Sequence, residues 1–258
     1  WNTSLDDSSR LPAMMRTAYR AMTTGRPGAV HLALPFDTQK GYVDAAELWA
    51  DPRHQTYPAE PAGPDPDAIR EAAAILAKAK SAVAICGGGP VIAGAEAVLA
   101  KLAALLDLPI ATTVSGQGAI AETDPRAVGV VGTNGGVQAT RDVVEAADVV
   151  LFIGCRAGSV TTERWRWPSP DKTIIHIDSD PMVIGANYST AVAICADARL
   201  ALNALVAELE GMSGLAQQDG TGRAAAAWEG KLAEFNPLAA SRERPIKPDV
   251  VIAGLMDI

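Results

Sequence analysis

The 258-residue sequence predicts an α/β fold, a doubly wound parallel sheet of about six strands flanked by helices. Two patterns predict it. Short, continuous apolar runs such as Ser81–Cys86 and Val149–Ile153 alternate with longer segments of helical period, and strands covered on both faces read as unbroken apolar runs. The strands end in glycine or a carboxylate, as at Gly87-Gly88-Gly89, Val114-Ser115-Gly116, Gly154-Cys155-Arg156 and Asp178-Ser179-Asp180. Composition agrees: 48% hydrophobic and 20% charged is ordinary globular usage. A chain of this size buries roughly 70–75% of its unfolded surface, enough for a core without disulfides or metals.

The elements follow in order. Residues 10–22 have helical spacing, with Met14, Ala18 and Met22 on one face. A turn leads to a short strand at Ala29–Leu34, stopped by Pro35. Residues 44–64 carry prolines and glycines without a period and read as a linker. Asp65-Pro66 is a cap with proline at the first helical position, opening a helix to about Lys80. Ser81–Cys86 is a buried strand, GGGP a loop, Val91–Leu106 a helix and Pro109–Val114 a strand. Asp124–Val131 reads as a loop with a short apolar run. Gly135–Ala147 is a helix, and Val149–Ile153 and Thr173–Ile177 are strands. Pro181–Ala186 is a short helix, Ala191–Cys195 a strand and Ala198–Glu210 a helix. Met212–Arg223 is polar and glycine-rich, a second linker. Helices follow at Ala224–Phe235 and Asp249–Ile258, with loop over Pro237–Pro248. Trp1–Arg10 has no fold of its own, no methionine opens the chain, and the terminal helix stops abruptly. The chain therefore reads as a fragment.

Several function classes are excluded. A net charge of −8 argues against a nucleic-acid partner, because neutralising phosphates needs clustered Lys and Arg. The sequence has no run of 18 uncharged apolar residues, so no membrane span is expected. Without a signal peptide the expected location is the cytoplasm. Cys86, Cys155 and Cys195 match no paired spacing and read as small buried hydrophobes. His31 and His176 lie within apolar runs and read as structural histidines. Asp178 and Asp180 read as a strand end and a helix cap. Arg164-Trp165-Arg166-Trp167 reads as an exposed loop that packs on a neighbouring domain. No serine or cysteine stands in a nucleophile motif with its base, and no metal ligand set appears.

What remains is the crevice at the strand ends. In an open parallel sheet, ligands bind outside the carboxyl ends of the strands. Glycines there let a ligand approach the backbone, and Gly132-Thr133-Asn134-Gly135-Gly136 forms another such opening. Asp178 stands where it could accept hydrogen bonds from a ribose. GGGP is not the GxGxxG fingerprint, and no acidic residue follows at the spacing that fingerprint needs.

The order of segments resembles the acetolactate synthase-like family of thiamine-diphosphate-dependent enzymes. Gly25-Arg26-Pro27-Gly28-Ala29-Val30-His31-Leu32-Ala33-Leu34-Pro35-Phe36-Asp37 is similar to the end of that family's first, pyrimidine-binding domain. The landmarks of its central domain follow in order: the GGGP loop, Leu108–Thr113, Gly116-Gln117-Gly118-Ala119, Val130–Gly135, Ala147–Gly154 and Ile174–Pro181. Pro245-Ile246-Lys247-Pro248 resembles the opening of the third, diphosphate-binding domain.

The resemblance implies a division of the chain. Residues 1–43 would end the pyrimidine-binding domain, 44–63 form a linker, 64–211 the central Rossmann-like domain, 212–244 a second linker, and 245–258 the start of the diphosphate-binding domain. It implies an enzyme that uses thiamine diphosphate and Mg2+ on a 2-oxo acid, by decarboxylation and carboligation, as a homodimer or homotetramer. It also implies that the activating glutamate and the Gly-Asp-Gly metal signature lie outside these residues, since no Gly-Asp-Gly occurs here. No catalytic residue is then expected in the chain. For the cleft the resemblance offers FAD, an ADP-type ligand or no ligand. Of the FAD-binding pattern, Gly154-Cys155-Arg156 is kept, whereas Ala157-Gly158-Ser159-Val160 and Thr133-Asn134 depart from it. The candidate contacts are Gly88, Gly89, Thr113, Asn134, Arg156, Asp178 and Asp197. The alternatives are a non-catalytic nucleotide-binding module and a nicotinamide-dependent dehydrogenase. The absent fingerprint and the lack of a proton-transfer histidine count against the second.

Overall fold

The computed structural model describes residues 1–256, so the end of the helix expected over Asp249–Ile258 lies outside the described residues. The chain opens with β1 (Asn2–Ser4), α1 (Leu11–Thr23) and β2 (His31–Ala33). β1 and β2 pair in parallel, Asn2 facing His31 and Ser4 facing Ala33. The expectation that Trp1–Arg10 has no fold is therefore corrected. The partner strand lies beyond a helix, so no local pattern announces the pairing. His31 is exposed rather than structural, because β2 belongs to a two-stranded sheet with open faces. Residues 44–64 hold only short 3-10 turns at Ala45–Glu47 and Pro52–Gln55.

α2 (Pro66–Leu76) starts as its sequence dictates: the Asp65 carboxylate accepts from Asp67 N at 2.9 Å, and proline stands in the first turn. Such a cap contributes ~1 kcal/mol. The helix ends at Leu76 and buries Ile69, Ala72, Ala73 and Leu76. β3 (Ala82–Cys86) follows. The single helix expected over Val91–Leu106 is two, α3 (Gly89–Ile92) and α4 (Glu96–Leu106). Between them Gly94 takes φ +62, a left-handed turn that glycine adopts without strain. β4 (Ile110–Thr112) is followed by β5 (Ala127–Val130), where a loop was expected. A four-residue strand interrupted by Gly129 carries too little pattern to be read.

α5 (Gln138–Glu145) starts later than expected, after Gly135 at φ +101. β6 (Val149–Ile153) and β7 (Thr173–Asp178) match their apolar runs. The helix expected at Pro181–Ala186 is instead a run of turns. The Asp178 and Asp180 carboxylates bond the backbone N–H two residues on, at Asp180 (2.9 Å) and Met182 (3.0 Å), the side-chain turn that competes with a helix. Asp180 is therefore not the cap of a helix. β8 (Val192–Cys195) leads into α6 (Ala198–Glu210), capped by Asp197 on Leu200 N at 3.0 Å. α7 (Gly220–Ala239) is longer than the Ala224–Phe235 expected, and α8 (Pro248–Met256) closes the described chain.

Six strands form one parallel sheet in the order β5-β4-β3-β6-β7-β8. This is the doubly wound order, which reverses at β3 and β6. Alternate strand residues serve two cores. Ala82, Ala84, Leu151, Ile153, Ile175 and Ile177 meet α2, α4 and α6. Val83, Ile85, Val150, Phe152 and Ile174 meet α5 and α7. Cys86 and Cys155 are buried as expected, but Cys195 is exposed, because on the edge strand β8 alternate residues face outward. Among the described residues no helix is long and apolar enough to cross a membrane.

Candidate functional site

A cleft of about 1030 Å³ opens at the carboxyl ends of β3, β4, β6, β7 and β8. It sits over the point where the strand order reverses, which is where doubly wound sheets bind ligands. All seven candidate contacts line it: Gly88, Gly89, Thr113, Asn134, Arg156, Asp178 and Asp197.

The floor is built by close backbone contact. Gly89 N donates to Gly154 O at 3.2 Å, and a Cβ on Gly89 would stand 2.5 Å from Gly154 Cα. Gly154 itself has φ +52. The GGGP loop and the turn after β6 thus meet only because both are glycine. Thr113 N donates to Cys86 O at 2.9 Å, which holds the end of β4 to that of β3.

Asp178 is buried at the end of β7. Burial raises its pKa above the ordinary carboxylate value, while the Asp180 N–H, His176 and Arg26 pull it down. Asp197 carries its carboxylate at the start of α6, and its own N–H donates to Ala62 O at 2.9 Å. The Arg156 guanidinium has no ion pair among the described residues. Its carbonyl accepts from Asn187 Nδ2 at 3.1 Å. His176 Nε2 lies 2.8 Å from Cys155 O, and burial holds its pKa below the ordinary imidazole value. Burial also pushes the Cys155 thiol up to about 11 and Cys86 higher still. Neither is a thiolate near neutrality, and the exposed Cys195 also lines the cleft.

Sequence reasoning missed one wall. Residues 24–27 and the strap 57–62 close the cleft from the N-terminal side. Arg26 reaches Asp180 at 3.3 Å, and Tyr57 OH donates to Gly25 O at 2.8 Å. Gly25-Arg26-Pro27-Gly28 stood out as a motif, but nothing local placed it beside β7.

The chemistry available is therefore hydrogen bonding by backbone, carboxylates and one free guanidinium. A family model described as "Thiamine pyrophosphate enzyme, central domain" matches residues 69–205, which is the whole of the six-stranded sheet. The chain belongs to the thiamine pyrophosphate enzyme family. Its relatives in that family include a probable acetolactate synthase large subunit from Methanocaldococcus jannaschii, 33% identical over 100% of this chain and 43% of the relative. A probable acetolactate synthase large subunit from Methanococcus aeolicus is 34% identical over 81% of this chain and 35% of its own length. Acetolactate synthase 1, chloroplastic, of Zea mays is 31% identical over 80% of this chain and 32% of its own length. The chain thus spans less than half the length of these relatives.

The family's description names thiamine pyrophosphate, and the resemblance in the sequence implies a metal that holds its diphosphate. The described residues contain no group of three or more His, Cys, Asp or Glu that could hold a metal. These residues do not fit thiamine diphosphate with its metal, and no chemical step is assigned to them through it.

Proposed function

We propose that this chain acts as the central domain of a thiamine diphosphate-dependent, acetolactate synthase-like enzyme that decarboxylates and ligates 2-oxo acids. The observation that carries this reading is the match to a probable acetolactate synthase large subunit along 100% of the chain, including the segments on either side of the sheet. On this reading residues 1–43 and 245–258 belong to the two cofactor-binding domains, and 64–211 spaces them. Thiamine diphosphate and Mg2+ are held by residues outside this chain, in a homodimer or homotetramer in the cytoplasm. The test is turnover by the longest gene product that contains the chain. With thiamine diphosphate, Mg2+ and pyruvate it is expected to release carbon dioxide and form acetolactate. No turnover of pyruvate or 2-oxobutanoate would overturn the reading.

As a second reading beside the first, we propose an ADP-type ligand in the cleft that the seven candidates line. Asp178 and Asp197 would accept from ribose hydroxyls, Arg156 would meet phosphate, and Gly88, Gly89, Thr113 and Asn134 would form the close walls. A flavin dinucleotide is not carried forward. Ala157-Gly158-Ser159-Val160 and Thr133-Asn134 stand where the FAD-binding pattern has other residues. Calorimetric titration with ADP checks this: heat that disappears in Arg156→Ala supports it, and no heat contradicts it.

A further inference from the structure

Among its five asparagines the chain has one Asn-Gly pair, Asn134-Gly135. It lies in the loop between β5 and α5, and Asn134 lines the cleft. Two bonds pin that loop: Thr133 N donates to Val160 O at 2.9 Å, and Gly136 N donates to Gly132 O at 3.0 Å. Between the pins, neither Asn134 N nor Gly135 N donates to a backbone carbonyl among the described residues, and both residues are exposed. Gly135 takes φ +101, a left-handed conformation that glycine alone adopts without strain. A Cβ on Gly136 would stand 2.4 Å from Gly132 O, so the loop has no slack to relieve that turn. The backbone thus demands glycine directly after Asn134.

Glycine there also removes the side chain that would shield its own peptide nitrogen. Such a nitrogen, once deprotonated, can bond the Asn γ-carbon and close a five-membered ring. The other asparagines are placed differently. Asn2 lies in β1, Asn203 within α6, and Asn236 within α7 before Pro237, which has no N–H to lose. The Asn187 amide donates to Arg156 O at 3.1 Å, and the large Tyr188 follows it. Asp219-Gly220 could close the same ring, but Gly220 N donates to Asp107 O at 2.7 Å.

We propose that Asn134 is a site of self-modification: Gly135 N attacks Asn134 Cγ, ammonia leaves, and water opens the ring to aspartate or isoaspartate. The N–Cγ bond forms and the Cγ–Nδ2 bond breaks. The Gly135 proton goes to a solvent base, and a solvent proton completes the departing ammonia. Water at Cγ breaks the new bond and gives aspartate. Water at the main-chain carbonyl carbon breaks the old peptide bond and gives isoaspartate, with the backbone rerouted through the side chain. Nothing is oxidised or reduced, and the step requires no cofactor and no ligand in the cleft. The product adds a carboxylate to a lining that already holds Glu60, Asp178 and Asp197.

The test compares the full folded chain, kept at about pH 8, with the same chain unfolded in guanidinium chloride. Peptide mass spectrometry reads the mass gain of an amide becoming an acid, and enzymatic methylation reads isoaspartate. The expected result is modification at residue 134 in the folded chain within about tenfold of the unfolded rate, because an exposed loop needs no global opening. It should be faster at pH 8 than at pH 6, and Asn2, Asn187 and Asn203 should lag well behind. Asn134→Gln, whose longer side chain would have to close a six-membered ring, should show no comparable gain. Protection of residue 134 by more than about tenfold in the folded chain, or equal modification at Asn187, overturns the proposal. Should Asn134→Gln fail to fold, the folded-to-unfolded ratio in the parent decides alone.

Discussion

Gly116 shows how closely the turn after β4 packs on the end of β3. A Cβ there would stand 2.1 Å from Cys86 O and 2.8 Å from Gly87 O, both backbone atoms. Gly116→Ala is therefore expected to cost about 1–3 kcal/mol, read as a lower urea midpoint at unchanged slope. Gly63→Ala, with nothing within 4 Å of its added Cβ, should leave the midpoint in place. His176 makes a pH prediction. Burial lowers its pKa below 6.5, so between the two values the unfolded chain binds the extra proton. Stability from this group is whole above pH 6.5 and declines as pH falls. Asp178 works the other way: its pKa is raised above 3.8, so its contribution declines as pH rises past that value. The stability gap between the parent and His176→Gln, measured by denaturation, should narrow from pH 7 to 5.5. A gap that widens contradicts the assignment. At this scale the cleft was largely legible, because glycines and carboxylates at strand ends are chemical signals carried by single residues. Arg26 and Tyr57 were not, since their role exists only once a distant turn at β7 lies beside them.

Among the elements, the strands buried on both faces could be read because burial there demands an unbroken apolar run, as in 149–153. The edge could not. β5 has four residues, a bulge and a glycine, and its partners on one side are helix side chains rather than a strand. β1 is short and pairs beyond α1, so its pattern is equally silent. The helix expected at Pro181–Ala186 failed because two aspartates satisfied the backbone first. Gln218 ties the segment before α7 to the sheet. Its side chain satisfies Ala82 N and Ala79 O out of water, and orphaning a buried backbone group costs ~1–3 kcal/mol. Gln218→Ala should lower the unfolding midpoint, whereas Gln217→Ala, at an exposed contact, should not. Equal effects would detach this segment from the fold's stability.

The whole molecule combines a complete doubly wound sheet with short segments on either side, one of which, α7, is built into it. The sheet supplies a cleft of hydrogen-bonding groups, but neither a nucleophile with its base nor a metal ligand set among the described residues. The most direct measurement is calorimetric titration with thiamine diphosphate and Mg2+, on this chain and on the longest gene product that contains it. No binding heat is expected for the 258-residue chain, and saturable binding is expected for the longer protein. Saturable binding to this chain alone, or none to the longer protein, would contradict the assignment of the cofactor to residues outside this chain.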